Sequence, residues 1–264
     1  MANKGLQFEW CVYHLIAQAN KAKFKGDSTA SRAAEEYKSS PADVKSGAAN
    51  AIKVIEKSYG KITNVEKMSG GIEPKTDLVI TTNRKTLKCS LKFGGSIQLS
   101  SAGVETTSAF LTGVITNLKK TKAITNKQAQ DLLGFLADFQ TNIPSGTMTK
   151  TQIQGVLSSS ADYGEKLQEI LGSKKKPDVA AEYEKIKLAV VEEALTGKAT
   201  FAATPKKAAE WILSESSLKE INTNFIKDVA GRTSVRLAAK GRGKEIVKGK
   251  EVRMNQISIR FDVT

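Results

Sequence analysis

The sequence predicts a mixed α/β fold with a central sheet flanked by helices, a helical insertion and a basic β-hairpin near the C-terminus. The segment 77–82 is apolar and β-branched, and apolar and polar residues alternate over 87–93 after a turn at 83–85, which is typical of two paired strands. Apolar residues recur at helical spacing on both sides of this hairpin. Strand-like patterns return at 235–240 and 256–263.

Charge and composition favour a soluble protein with a polyanionic partner. The chain has 264 residues, with 41 Lys plus Arg against 27 Asp plus Glu and a net charge of +14. Such an excess indicates nucleic acid first and an anionic membrane second. No apolar run reaches membrane-spanning length, and the N-terminus lacks the apolar core of a signal peptide. We therefore expect a cytoplasmic protein that associates with nucleic acid.

The sequence has few histidine and cysteine residues, which limits the metal sites and catalytic arrangements it can form. His14 is the single histidine, and Cys11 and Cys89 are the two cysteines. A Cys/His zinc site and a Ser-His-Asp or Cys-His catalytic arrangement are therefore disfavoured. We interpret His14 as a helix residue without a catalytic role. Both cysteines are expected to be reduced core residues, although a disulfide between them remains open.

The elements before and after the hairpin follow from periodicity and from capping residues. Helices are predicted over 6–24, 30–38 and from Pro41 to about Tyr59, where Gly60 ends the third helix, and a first strand over 61–68. Later helices are predicted over 102–118, 126–140, 150–171, 178–196 and 205–213. The predicted domains are a core over 1–120, a helical insertion or cover over 121–172, and a long helix with the basic β segment over 173–264.

A carboxylate, a hydroxyl and an ammonium are expected at one end of the hairpin. A turn centred on residue 84 or 85 places Asp77 opposite Leu91 or Lys92, with Ser90 nearby. Glycines flank this end, so a large ligand can approach the backbone there.

This grouping resembles the active-site hairpin of the PD-(D/E)xK nuclease superfamily, which has the restriction-endonuclease-like fold. The family pattern is an aspartate that opens one strand, followed on the next strand by an acid, any residue and a lysine. Pro74-Lys75-Thr76-Asp77 carries the first part and Ser90-Leu91-Lys92 the second. Gly5-Leu6-Gln7-Phe8-Glu9 is similar to the family's first helix, and Gln98 matches a glutamine found in several branches. The resemblance covers roughly the first 120 residues.

The resemblance implies a Mg²⁺- or Mn²⁺-dependent nuclease that hydrolyses phosphodiesters. It makes Asp77 a metal ligand and the backbone carbonyl of Leu91 a second one. Glu9 would act through a metal-bound water. Lys92 would orient or deprotonate the attacking water, and Gln98 would hold the substrate or the lysine.

Ser90 departs from the family pattern, because a hydroxyl is a weaker and uncharged ligand for Mg²⁺. Three explanations remain open: the acid has moved, metal binding is weak, or the fold is retained without catalysis. The candidates for a moved acid are Glu73, Glu105 and Glu193.

The C-terminal basic segment is expected to contact nucleic-acid phosphates. From Arg232 to Arg260 there are nine basic and two acidic residues, a net of +7. Long cationic side chains neutralise phosphates without reading sequence. The predicted nucleic-acid-binding residues are Arg232, Arg236, Lys240, Arg242, Lys244, Lys248, Lys250 and Arg253.

Two functions are therefore predicted. The first is a metal-dependent DNA nuclease, with an endonuclease favoured over an exonuclease. The alternative is a non-catalytic DNA-binding or packaging-type structural protein that retains the nuclease fold. RNA binding is disfavoured because no aromatic-basic stacking motif is present. A homodimer remains open.

Overall fold

A computed structural model of the chain describes residues 3–68, 74–94, 97–172, 180–247 and 249–263. Within these residues the structure is a mixed α/β fold, as predicted, with nine α-helices and two sheets. The helices are α1 (Lys4–Ala19), α2 (Ser28–Ser39), α3 (Ala42–Tyr59), α4 (Val104–Lys120), α5 (Asn126–Asn142), α6 (Lys150–Ser159), α7 (Ala161–Leu171), α8 (Ala180–Thr196) and α9 (Thr223–Arg232). The strands are β1 (Ile62–Lys67), β2 (Leu78–Thr82), β3 (Thr86–Leu91), β4 (Ile97–Gly103), β5 (Trp211–Leu213), β6 (Leu218–Glu220), β7 (Thr233–Val247) and β8 (Lys250–Val263).

The chain forms two compact units. The first comprises Met1–Ser96 and Leu195–Phe225, and the second Ile97–Ala194 and Ile226–Thr264. These limits differ from the predicted domain limits at residues 120 and 172. Each unit therefore combines segments that are distant in the sequence.

The first unit is built on a five-stranded sheet in the order β1-β2-β3-β5-β6. The pairs β1–β2, β2–β3 and β5–β6 are antiparallel, and β3–β5 is parallel. The sheet is therefore mixed, as predicted. Helices α1, α2 and α3 share a core with β1, β2 and β3, in which Phe8, Ile55, Ile80 and Leu87 are fully buried. Burying each such side chain contributes about 1.5–3 kcal/mol.

The predicted β2–β3 hairpin is confirmed, but its register was wrong. Leu78 pairs with Cys89, so Asp77 falls opposite Ser90 and not opposite Leu91 or Lys92. The turn lies earlier because the Thr82 hydroxyl accepts the N–H groups of Arg84 (3.1 Å) and Lys85 (2.9 Å).

Two other predictions in this unit need correction. The first helix ends at Ala19 instead of 24, because the Asn20 side chain donates to the Ile16 carbonyl at 2.9 Å and a 3₁₀ turn, Lys21–Phe24, follows. The segment 205–213 is not a helix: a 3₁₀ turn at Pro205–Lys207 leads into β5. The parallel pairing with β3 overrides the local apolar pattern there.

The second unit contains a three-stranded sheet in the order β4-β8-β7. Strand β4 extends to Gly103, so α4 begins at Val104 and not at the predicted residue 102, and it has no side-chain cap. The predicted helix 150–171 is divided at Ser160 into α6 and α7. Helix α9 was not predicted.

The predicted C-terminal hairpin is present and longer than expected. Strands β7 and β8 pair continuously from Thr233 with Val263 to Val247 with Lys250, interrupted by one irregularity between Gly241 and Gly243. The glycine-interrupted basic segment is therefore part of the strand ladder and not a connecting loop. Among the described residues, no helix is long and apolar enough to cross a bilayer.

Candidate active site

Asp77 joins the two strands at the open end of the β2–β3 hairpin through hydrogen bonds of both its backbone and its side chain. Its N–H donates to the Cys89 carbonyl at 2.9 Å. Its carboxylate oxygen Oδ2 accepts the Leu91 N–H at 2.6 Å and the Ser90 hydroxyl at 3.3 Å. The short bond from Leu91 is of the charge-assisted kind, so it fixes the carboxylate in place.

Lys92 follows the last residue of β3 and lies on the same side of the hairpin as Asp77. Its N–H donates to the Leu213 carbonyl of β5 at 2.9 Å, which continues the ladder past Leu91. Because side chains alternate along a strand, Lys92 shares a face with Ser90, which lies opposite Asp77. The predicted aspartate–serine–lysine grouping is therefore on one face of the sheet.

Glu9 reaches the same place from helix α1. Its Oε2 atom lies 2.7 Å from Nζ of Lys67, the last residue of β1. The side chains of Lys67 and Glu9 are only 14% and 17% exposed, so this ion pair is largely desolvated. The Lys67 ammonium also lies 4.7 Å from the ring centroid of Trp10, a cation–π distance.

Charge interactions link the two acids and the two lysines. Burial and the Asp77 carboxylate raise the pKa of Glu9 to about 7, against the opposing effects of Lys67 and Lys92. Burial also raises the pKa of Asp77, although the Leu91 N–H, Lys92, Lys67 and the Ser90 hydroxyl act to lower it. Ser90 is buried, and Glu9, Lys67, Asp77 and Lys92 are partly buried. We name these five residues the acid–lysine cluster.

The acid–lysine cluster suits a metal ion that keeps several water ligands better than an ion held entirely by protein side chains. Within the described part of the chain, no three His, Cys, Asp or Glu residues are placed to hold a metal together. A fully protein-ligated ion is therefore a poor fit. Mg²⁺ needs only one or two protein carboxylates, with water and phosphate as its other ligands. The Asp77 oxygen Oδ1 and the Glu9 carboxylate fit that requirement if Lys67 gives up its contact with Glu9.

Lys67 is the residue of the acid–lysine cluster that the sequence did not indicate. A lysine at a strand end is normally solvated. Lys67 could have been placed near Asp77 only from the register of β1 on β2. In that antiparallel pair Lys67 is paired with Leu78, the residue after Asp77. That pairing places the end of β1 beside Asp77, whose carbonyl accepts the Met68 N–H at 3.1 Å.

The remaining predicted site residues lie outside the described residues or belong to the second unit. Glu73 lies outside the described residues. The backbone of Gln98 pairs with Asp262 in the second unit, and its side chain is outside the described part. Glu105 is exposed on α4 and Glu193 is buried on α8, both in the second unit.

The predicted nucleic-acid-binding residues belong to the second unit, and several are already paired. Arg232 lies on α9 and contacts Asp228 at 2.6 Å, Arg236 contacts Asp262 at 3.4 Å, and Lys244 contacts Glu251. Lys248 is outside the described residues. Three others have no carboxylate within ion-pair distance in the part of the chain that is described: Arg242, Lys250 and Arg253.

Compared with models of protein families, with curated proteins and with solved structures, the chain gives no match. The fold of the first unit and the acid–lysine cluster are therefore the basis for a functional proposal.

Proposed function

We propose that this protein is a metal-dependent DNA nuclease with a restriction-endonuclease-like core. The observation that carries the proposal is the grouping of Glu9, Asp77 and Lys92, which lie on helix α1, just before β2 and just after β3. Asp77 is held by the Leu91 N–H and the Ser90 hydroxyl, and charge interactions link it to Glu9 and Lys92. The order of helix, strand, strand and strand in the first unit agrees with the nuclease core. The sequence pattern around Asp77 and Lys92 had suggested the same family.

Each residue of the cluster has a role in this proposal. A divalent ion held at Asp77 would supply charge neutralisation at phosphorus and a more acidic bound water. Glu9 would accept a hydrogen bond or a proton from the attacking water. Lys92 would donate to that water or to a phosphate oxygen, which offsets charge developing there. The Leu91 N–H keeps Asp77 oriented, which is a positioning role.

The test is cleavage of supercoiled plasmid, linear duplex and branched DNA with 5–10 mM Mg²⁺ or with EDTA. We expect Mg²⁺-dependent cleavage by the wild type, and a loss of at least roughly a hundredfold in Asp77→Ala and in Lys92→Ala. The matched control is Asp43→Asn, which removes a carboxylate from an exposed ion pair with Lys4 in the same unit. Cleavage that survives Asp77→Ala would overturn the assignment.

A second candidate is a DNA-binding protein that retains this core without cutting. The observation that favours it is the charge balance of the acid–lysine cluster: two lysines face two carboxylates, and Ser90 stands where the family has an acid. In that case Lys67 occupies the place of the metal. The same assay distinguishes the two, because this candidate predicts DNA binding with no cleavage of any DNA form and unchanged binding by Asp77→Ala.

A further inference from the structure

The outer part of the β7–β8 hairpin is exposed on both of its faces. We call residues 241–247 and 249–253 the arm. Successive residues of a strand point to opposite faces, and six consecutive residues, 241–246, are all exposed. The arm is nevertheless ordered as a ladder, from Gly243 with Met254 to Val247 with Lys250. Within the described part of the chain it is therefore a largely exposed two-stranded ribbon, with one side-chain hydrogen bond to the rest of the unit, from the Thr147 hydroxyl to the Glu245 carboxylate at 3.3 Å.

The arm is anchored at its base. Met148 and Asn255 exchange backbone hydrogen bonds of 2.7 and 2.8 Å, and Met254 is buried. Beyond this point the ribbon continues for about five residue pairs, and at about 3.3 Å per residue it reaches roughly 15 Å. The arm therefore extends well beyond its anchored base.

The charge of the arm is complementary to a polyanion. The arm contains four basic and two acidic side chains, a net charge of +2, and Lys240 and Lys248 adjoin it in the sequence. The residues without a described carboxylate partner, Arg242, Lys250 and Arg253, are all exposed. Cationic side chains along an exposed ribbon suit contact with phosphates on both sides of a groove.

An apolar side chain lies near the tip. Ile246 is 72% exposed, compared with 44% for Leu6, the other large apolar residue that is exposed among those described. It lies on the same face as Lys244 and Arg253, because Lys244 pairs with Arg253 and Ile246 is two residues further along. An isoleucine this exposed contributes little to the packing of the protein core. It can instead contact an apolar surface on a ligand, such as a thymine methyl group.

We propose that the arm inserts into the major groove of duplex DNA, with Arg242, Lys250 and Arg253 on phosphates and Ile246 against base edges. The major groove of B-DNA is about 12 Å wide and admits a two-stranded ribbon, whereas the minor groove is about 6 Å wide. The major groove of double-stranded RNA is too narrow and deep for side chains to read. This inference takes its nucleic-acid partner from the proposed function, and it does not depend on cleavage.

The experiment measures binding of the full-length protein in EDTA, by fluorescence anisotropy, to a 30-base-pair DNA duplex, to RNA of the same sequence and to single-stranded DNA. We expect duplex DNA to bind most tightly. Ile246→Ser should weaken duplex binding roughly tenfold without changing the salt slope, since it removes an apolar contact and no charge. Leu6→Ser, at the other exposed apolar position, should bind as the wild type does.

A triple variant, Arg242→Ala/Lys250→Ala/Arg253→Ala, should lower the slope of log affinity against log salt by about 2–3, at about 0.9 per lost phosphate contact. Its control removes three exposed lysines from the first unit: Lys53→Ala/Lys57→Ala/Lys61→Ala. The control should change the slope less. Methyl green, a major-groove ligand, should compete with the protein, and netropsin, a minor-groove ligand, should not.

Several results would overturn this proposal. Equal affinity for duplex RNA and DNA would exclude insertion into the major groove. If Ile246→Ser and the triple variant both bind duplex DNA with wild-type affinity, the arm does not contact the DNA. A change of oligomeric state in Ile246→Ser, with unchanged DNA affinity, would assign the arm to contacts between copies of the chain. Failure of cleavage alone would count against the nuclease proposal and would leave the result for the arm intact.

Discussion

The ammonium of Lys67 lies 2.7 Å from a carboxylate oxygen of Glu9 in an ion pair that is shielded from solvent and covered by Trp10. Desolvating two charges costs free energy, which is recovered only while both partners are present. This pair therefore couples the stability of the first unit to the candidate site. A metal ion that uses Glu9 would share its carboxylate with the Lys67 ammonium.

Lys67→Met should destabilise the protein at alkaline pH. Without the ammonium, the Glu9 carboxylate is buried without its partner, at a cost of about 3 kcal/mol in the free energy of unfolding at pH 8. The cost should shrink towards pH 5, where protonation removes the Glu9 charge. Urea denaturation at the two pH values measures both effects.

The control for this variant is Lys88→Met, which breaks an ion pair of the same 2.7 Å length to Glu210 whose side chains are 25% and 45% exposed. A more exposed pair should contribute less than about 1 kcal/mol. Mn²⁺ should also raise the melting temperature of Lys67→Met more than that of the wild type, because Glu9 is then available to the metal. Equal destabilisation by both variants would refute the special role of the Lys67–Glu9 pair.

Glu9→Gln should flatten the pH dependence of stability. The pKa of Glu9 is raised from its ordinary value of 4.5 to about 7 in the folded protein. Between these values the folded state binds more protons than the unfolded state, so the free energy of unfolding falls as the pH rises through this window. The contribution of this shift to the free energy of unfolding is at most about 3.5 kcal/mol, at about 1.4 kcal/mol per pKa unit.

Urea denaturation from pH 4 to 8 measures that slope in the wild type and in Glu9→Gln. The raised pKa of Asp77 acts in the same direction, so a smaller slope should remain in the variant. An unchanged slope in Glu9→Gln would contradict the burial of Glu9 beside Asp77.

Ser90→Asp should make stability depend on divalent metal. The new carboxylate would lie opposite Asp77, whose Oδ2 atom is 3.3 Å from the Ser90 hydroxyl in the wild type. In EDTA the two like charges should lower the melting temperature, and Mg²⁺ should restore it by binding both. Activity that rises in Ser90→Asp would mean that no other acid has replaced Ser90, whereas reduced activity would indicate that another acid has done so.

The hairpin that carries Asp77, Ser90 and Lys92 could be predicted because it depends on local signals. Alternating apolar residues over β3 and the turn before it specify both strands and one face. The exact register depended on hydrogen bonds of the Thr82 hydroxyl, which the pattern of apolar residues does not reveal. The prediction of the register was therefore wrong by one or two residues while the grouping of side chains on one face was right.

Long-range pairing accounts for what the sequence missed. Strand β5 pairs with β3 across more than 100 residues, and its apolar run of Trp211, Ile212 and Leu213 is equally compatible with a buried helix. Lys67 reaches Glu9 only because α1 packs beside β1. Neither contact leaves a periodic signal within one segment.

The most direct test of a metal-dependent nuclease site at Asp77 is an anomalous difference map from crystals soaked in Mn²⁺. We expect one strong peak beside the Asp77 carboxylate, with the Glu9 side chain turned towards it and Lys67 moved away from Glu9. The peak should be absent from crystals of Asp77→Ala. A map without a peak at this site at saturating Mn²⁺, with the Lys67–Glu9 ion pair intact, would contradict the metal-dependent nuclease.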